Sequence, residues 1–143
     1  YIHAQNELGQ ACYEQGLLYE SQGNSNSQAM FQDSLLAFKK IVDIGAEDCD
    51  LLLNVGILQE KLGNRKEADQ SYSRALKLDA NNSRANLVYG LVLLYEYTIS
   101  QRSCKQYSEA YQYLQQTVEL NRNSAEVATA QSKIDELREK GWI

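Results

Sequence analysis

Residues able to do chemistry are few and far apart in this chain. One histidine, His3, and three cysteines, Cys12, Cys49 and Cys104, are its whole supply of imidazole and thiol groups. A Ser-His-Asp or Cys-His arrangement needs a base held firmly beside its nucleophile, and His3 lies at an end where chains fray. The cysteines stand 37 and 55 residues apart, without the close pairs of a zinc site or the density of a disulfide framework. They read as reduced thiols packed as small hydrophobes. Glu47, Asp48 and Asp50 cluster at an expected helix start, where the dipole favours negative charge, so capping is their expected role. No glycine-rich phosphate motif of the G-x-x-x-x-G-K-S/T or G-x-G-x-x-G form occurs. Asn81-Asn82-Ser83 is a formal glycosylation triplet at a tight junction, and no function is assigned to it. The reading is therefore no catalytic residue, no metal site, no cofactor and no enzyme.

The elements that would have to position a site point the same way. At 143 residues the chain is the size of one domain, and a single domain over 1–143 is the starting expectation. Proline is absent and glycine occurs eight times, too few punctuators for the many turns of a β-sandwich or barrel. A formal charge of −5 has the wrong sign for counterion release from phosphate backbones, which argues against nucleic acid and anionic lipid. No apolar run approaches the length needed to cross a bilayer, and the first residues lack a signal-peptide pattern. Membrane insertion is not expected, and a cytoplasmic location is. The start at Tyr1 suggests an excised or processed piece.

Self-similarity organises the chain. Gly16, Gly56 and Gly90 are spaced by 40 and 34 residues. The clearest unit runs Leu52-x-x-Val55-Gly56-x-x-Gln59, Gly63, Ala68-x-x-x-Tyr72, Ala75 and Leu78-Asp79-Ala80-Asn81-Asn82. It resembles a tetratricopeptide repeat, W-x-x-L-G-x-x-Y, then A-x-x-x-F, then P. Cys12-x-x-Gln15-Gly16-x-x-Tyr19 and Asn86-x-x-Tyr89-Gly90-x-x-Leu93 extend the resemblance to both sides. In the first unit the second-helix signature is read as Ser34-x-x-x-Phe38-x-x-Ile41-x-x-Ile44, with about six residues inserted before it. In the third it is read as Ala110-x-x-x-Leu114-x-x-Thr117-x-x-Leu120, after an insertion of about eight that includes Ile99 to Cys104. Ala46, Ala80 and Arg122 stand where the closing proline is usual.

Helical periodicity reaches a similar place without the resemblance. Leu52, Val55, Gly56 and Gln59 share one face, as do Ala68, Tyr72, Ala75 and Leu78, so two amphipathic helices form a hairpin. Small Gly56, Ala68 and Ala75 are spacers that let the helices approach. Asn64-x-x-Glu67, Ser103-x-x-Gln106 and Asn123-x-x-Glu126 read as capping boxes. Helices are predicted near 3–22, 28–44, 48–62, 65–78, 83–100, 105–120 and 124–140. The fold class is all-α: an α-solenoid of three hairpins, the first and third with insertions, plus a C-terminal capping helix. Repeats fall at about 9–48, 49–82 and 83–123, with the capping helix at about 124–140. A one-sided amphipathic last helix closes such a stack, with Trp142 tucked against that end.

The resemblance implies a function. In tetratricopeptide arrays the first helix of each hairpin lines a concave groove that receives a peptide or a partner's helix. The implied groove residues here are Tyr13 and Leu17, then Leu53, Asn54, Ile57 and Glu60, then Leu87, Val88, Leu91 and Tyr95. This strip is apolar, and acidic Glu14, Glu20 and Glu60 on its rim would favour a somewhat basic ligand. Chaperone-binding members grip a terminal carboxylate with Lys, Asn and Arg side chains; of the matching positions, Tyr13, Leu17, Asn54, Arg84 and Val88, only Asn54 keeps its type, so that use is not expected. The expected function is a protein–protein interaction adaptor or scaffold. A regulatory or substrate-docking domain of a larger enzyme is the alternative. Homo-oligomerisation through Tyr95, Tyr97, Tyr107, Tyr111 and Tyr113 is a further possibility.

Overall fold

Apolar residues recurring every three or four positions, few glycines and no proline leave the backbone little to do but form helices. The computed structural model describes residues 1–99 and 104–143, with side chains for 1–96 and 107–143. Among those residues every regular element is an α-helix: α1 (Ile2–Ser21), α2 (Ser27–Asp43), α3 (Cys49–Lys61), α4 (Arg65–Leu78), α5 (Ser83–Ile99), α6 (Cys104–Leu120) and α7 (Ser124–Glu139). Every bound lies within one residue of the sequence-derived one. The pairs α1–α2, α3–α4 and α5–α6 are the three expected hairpins, and α7 packs on α6 as the extra helix.

The chain forms two compact units. Tyr1–Leu78 holds the first two hairpins, joined by packing of α2 on α3, and Asp79–Ile143 holds the third hairpin with α7. The first unit gathers Phe31, Phe38, Ile41, Leu51, Val55 and Leu58 into one core. In the second, Leu87, Leu93, Tyr107, Ala110 and Leu114 close over Ala130, Ile134 and Leu137 of α7.

Helix ends follow local chemistry. Asp48 accepts the Leu51 amide at 2.8 Å, so one of the three clustered acids is a cap, as expected. Asn123 accepts the amides of Ala125 and Glu126 at 3.0 and 3.3 Å. Asn82, which the sequence reading passed over, accepts the Ala85 amide at 2.9 Å and starts α5. Two of the three missing prolines have a left-handed residue one position earlier: Gly45 at φ 78° before Ala46 and Asn121 at φ 46° before Arg122. The Ser103-x-x-Gln106 box and most of the expected insertion at Ile99 to Cys104 lie outside the described residues.

The motif glycines make room for rings, which refines their role as spacers between backbones. A Cβ on Gly56 would sit 2.5 Å from Tyr72 Cε1, and one on Gly16 would sit 2.6 Å from Phe31 Cε1. At Gly90 it would meet Leu114 Cδ2 at 3.0 Å and the Ala110 carbonyl at 3.3 Å. Each second helix thus lays a large side chain across a bare spot on the first.

This geometry corrects the register of the first hairpin. Phe31, not Phe38, lies across from Gly16; Phe38 lies across from Gly9, where an added Cβ would fall 2.6 Å from its ring. The separation from Gly16 to Phe31 is fifteen residues, against sixteen from Gly56 to Tyr72, so no six-residue segment intervenes before α2. The extra length lies at the far end, where twelve residues of α2 follow Phe31 and six of α4 follow Tyr72. Ser34 and Phe38 are buried as expected, and Ser34 Oγ donates to the Gly9 carbonyl at 2.6 Å, but both belong to this extension. A long helix with an unbroken apolar period offers several equivalent registers, which is why spacing alone selected the wrong one. In the third hairpin the offset of eight holds, from Gly90 to Leu114, and most of it extends the two helices: nine residues of α5 follow Gly90, against five of α3 after Gly56.

Candidate functional site

In the first unit α1 and α3 are the first helices of their hairpins, and the expected groove residues divide sharply in burial. Tyr13, Leu17, Asn54 and Ile57 are half-buried. Tyr13, Asn54 and Ile57 line one small cleft together with Gln10, Phe38 and Leu58. Its space, about 10 Å³, suits no more than a water molecule, so it is a dimple in a surface, not a ligand chamber. Gln10, one turn before Tyr13 on the same face of α1, was not among the residues read from sequence; its i−3 spacing was the available signal.

Leu53 has no exposed surface and is a core residue, which removes it from any open strip. Helical spacing places Leu53 and Ile57 on one face, but it does not reveal which of the two a neighbouring chain segment covers. Charges also pair more internally than expected. Lys61 Nζ lies 2.7 Å from Glu20 Oε2, joining α3 to α1, and 5.3 Å from the centre of the Phe31 ring. Glu60 accepts the Tyr72 hydroxyl at 2.8 Å, and Glu14 accepts from Gln10 at 3.0 Å. Of the three rim acids, Glu20 is matched by a cation and Glu60 by a buried phenol. Burial of Tyr72, with the Glu60 carboxylate beside it, pushes that phenol far above the ordinary tyrosine range.

In the second unit Leu87 is buried, while Val88 and Leu91 are half-buried and Tyr95 is exposed. The tyrosine set is mostly consumed inside this unit. Tyr107 stacks on Trp142 with ring centres 4.5 Å apart, and Tyr113 meets Tyr89 edge-on at 4.8 Å. Tyr111 packs against the same core, and the Tyr97 side chain lies outside the described ones. Trp142 is placed by a turn at Gly141, with its amide donating to the Leu137 carbonyl at 2.9 Å and Lys140 Nζ 4.6 Å from the ring centre. It does tuck against the C-terminal end, as its position suggested.

Among the described residues no cluster of three or more His, Cys, Asp or Glu side chains could hold a metal ion. Cys12 is half-buried and Cys49 buried, and burial raises the Cys12 thiol above its ordinary value. Among the described residues no helix is long and apolar enough to cross a membrane.

The α3–α4 hairpin, with its Gly56–Tyr72 contact, coincides with the segment 50–82 that matches a tetratricopeptide repeat family model. The chain carries a tetratricopeptide repeat. A TPR repeat-containing protein of Dictyostelium discoideum is 32% identical to it over 115 residues, a stretch covering 77% of this chain. The same stretch is 43% of the relative's length, so the chain spans less than half of the curated protein it matches. Tetratricopeptide repeats are in general protein–protein interaction modules and are typically non-enzymatic.

Proposed function

We propose that this chain is an adaptor or scaffold module that binds a peptide or amphipathic helix of another protein, and that α1 and α3 carry the binding surface. The observation that supports this most is the half-buried set Tyr13, Leu17, Asn54 and Ile57 on the first helices of successive hairpins. Apolar side chains left partly in water gain by being covered, at roughly 25 cal/mol per Å² of apolar surface removed from solvent. Asn54 adds an amide able to bond a ligand backbone, and the aromatic edge of Tyr13 adds a rigid anchor. Val88, Leu91 and Tyr95 form a comparable partly exposed set on α5 of the second unit.

Substitution of Leu17 and Ile57 by Glu tests the reading, because both are partly exposed and the fold does not depend on them as it does on Leu53. Pull-down from native extract with wild type and the Leu17→Glu/Ile57→Glu variant should give distinct partner sets, with the helical signal in circular dichroism unchanged. Identical sets from two equally folded proteins would overturn groove binding.

A further inference from the structure

A concavity within the first unit lies away from that surface. It is a furrow of about 270 Å³ with α2 on one side and α4 on the other, and α3 supplies its floor. Its apolar lining is Val42 of α2, half-buried, above Leu52 and Val55 of the floor, both buried. Gln59 and Ser71, also buried, close one part of it through a 2.6 Å hydrogen bond from the Ser71 hydroxyl to Gln59 Oε1. That bond uses the Ser71 hydroxyl proton and the Gln59 carbonyl oxygen within the chain itself.

The walls are charged. Lys39 and Asp43 stand on α2, and Glu67 and Arg74 on α4, all exposed. Arg74 is held by Glu47 at 2.5 Å. Among the described residues, neither Asp43 nor Glu67 is in an ion pair. α2 and α4 each pack antiparallel to α3, so they run in the same direction. Asp43 is the last residue of α2 and Glu67 lies in the first turn of α4, which puts the two uncompensated carboxylates toward opposite ends of the furrow. Between them the floor is aliphatic.

We infer that this furrow is a second docking surface, for an extended polypeptide segment whose central aliphatic side chain sits against half-buried Val42, above Leu52 and Val55, and whose flanking lysine or arginine side chains reach Asp43 and Glu67. Charge complementarity selects a basic segment, and the chain's net charge of −5 favours its approach. Size selects an extended one: a helix is about 10 Å or more across with its side chains, too thick for a furrow of this volume, whereas an extended chain offers alternate side chains to the floor. Lys39 sets a direction, since it repels a cation placed beside it and leaves Asp43 as the favourable site at that end.

The test uses the full chain, isotope-labelled for amide NMR, titrated at low salt with acetyl-Lys-Ala-Leu-Val-Ala-Lys-amide and with its counterpart carrying Glu at both ends. Saturable shifts of the Val55, Gln59 and Ser71 amides are expected for the basic peptide, with a Kd near about 1 mM. The acidic peptide should bind about tenfold more weakly, as a loss of two charge pairs at a solvated rim implies. The Asp43→Asn/Glu67→Gln variant, altered only at exposed positions, should lose about fivefold in affinity for the basic peptide at an unchanged helical signal. Equal affinity for both peptides, no loss in the variant, or no saturable shift would each overturn the furrow as a basic-segment site. Shifts confined to Tyr13, Asn54 and Ile57 would overturn it too, while leaving the α1–α3 surface standing; a failure of Leu17→Glu/Ile57→Glu to change partners would leave the furrow untouched.

Discussion

Leu53 and Ile57 are one turn apart on α3, yet one is sealed and the other half open, and their substitutions should separate stability from binding. Leu53→Ala leaves a cavity and is expected to cost about 2–5 kcal/mol in denaturant unfolding, while Ile57→Ala costs less and weakens partner binding. Tyr72 carries a pH signature as well. Its buried phenol has a raised folded-state value, so the neutral form is favoured by folding; that stabilisation is complete below the ordinary tyrosine range near pH ~10 and is lost as pH rises above it. Alkaline titration of stability should therefore fall more steeply for wild type than for Tyr72→Phe, which also forgoes about 1 kcal/mol at neutral pH with the Glu60 hydrogen bond. At this scale the sequence was only half legible. Gly56 announced a close approach through its missing side chain, but nothing in the local pattern said that a ring would fill the space. Nor did it show that Lys61 would reach from α3 to Glu20 on α1, a pairing 41 residues apart in the chain.

Helices were the most readable level, because each is determined by its own periodicity and end chemistry. Asn123 donates no side-chain hydrogen bond to the α7 start; it accepts two amide donors there, so Asn123→Ala should lower stability by about 0.5–2 kcal/mol, read as a lower thermal midpoint of the near-ultraviolet signal from Trp142. Along α7, Glu136 is flanked by Lys140 at 2.7 Å and Lys133 at 3.0 Å, whose hydrogen bonds and charges hold its carboxyl down to about 2. The contribution is present above the ordinary carboxylate range and lost as pH falls toward 2, and it is small because the pair lies in water. What element-level reading missed was register. α2 repeats its buried positions at Phe31, Ser34, Phe38 and Ile41, and choosing among them required the partner helix, which periodicity does not supply.

At the scale of the whole chain, two units each close their own core, and the excess of acid over base lies mainly in the first, with eleven acids against seven bases over Tyr1–Leu78 and eight against seven over Asp79–Ile143. Association with a basic peptide should accordingly slow as ionic strength rises, by stopped-flow measurement at two salt concentrations, whereas an acidic peptide should show the opposite trend. Fold class was legible from composition and repeat spacing together, because few glycines, no proline and a recurring small residue admit almost no alternative. Surface function was less so, since exposure depends on neighbours remote in sequence. The doubled contact of the first hairpin carries a last implication. Gly9 and Gly16 are seven residues apart, and so are Phe31 and Phe38. Seven residues make almost two full turns, so a matched heptad added to or removed from both arms keeps every ring over its gap, whereas an odd residue swings it aside by about 100°. Insertions and deletions in this hairpin are thereby held to matched steps that return each ring to the same helix face.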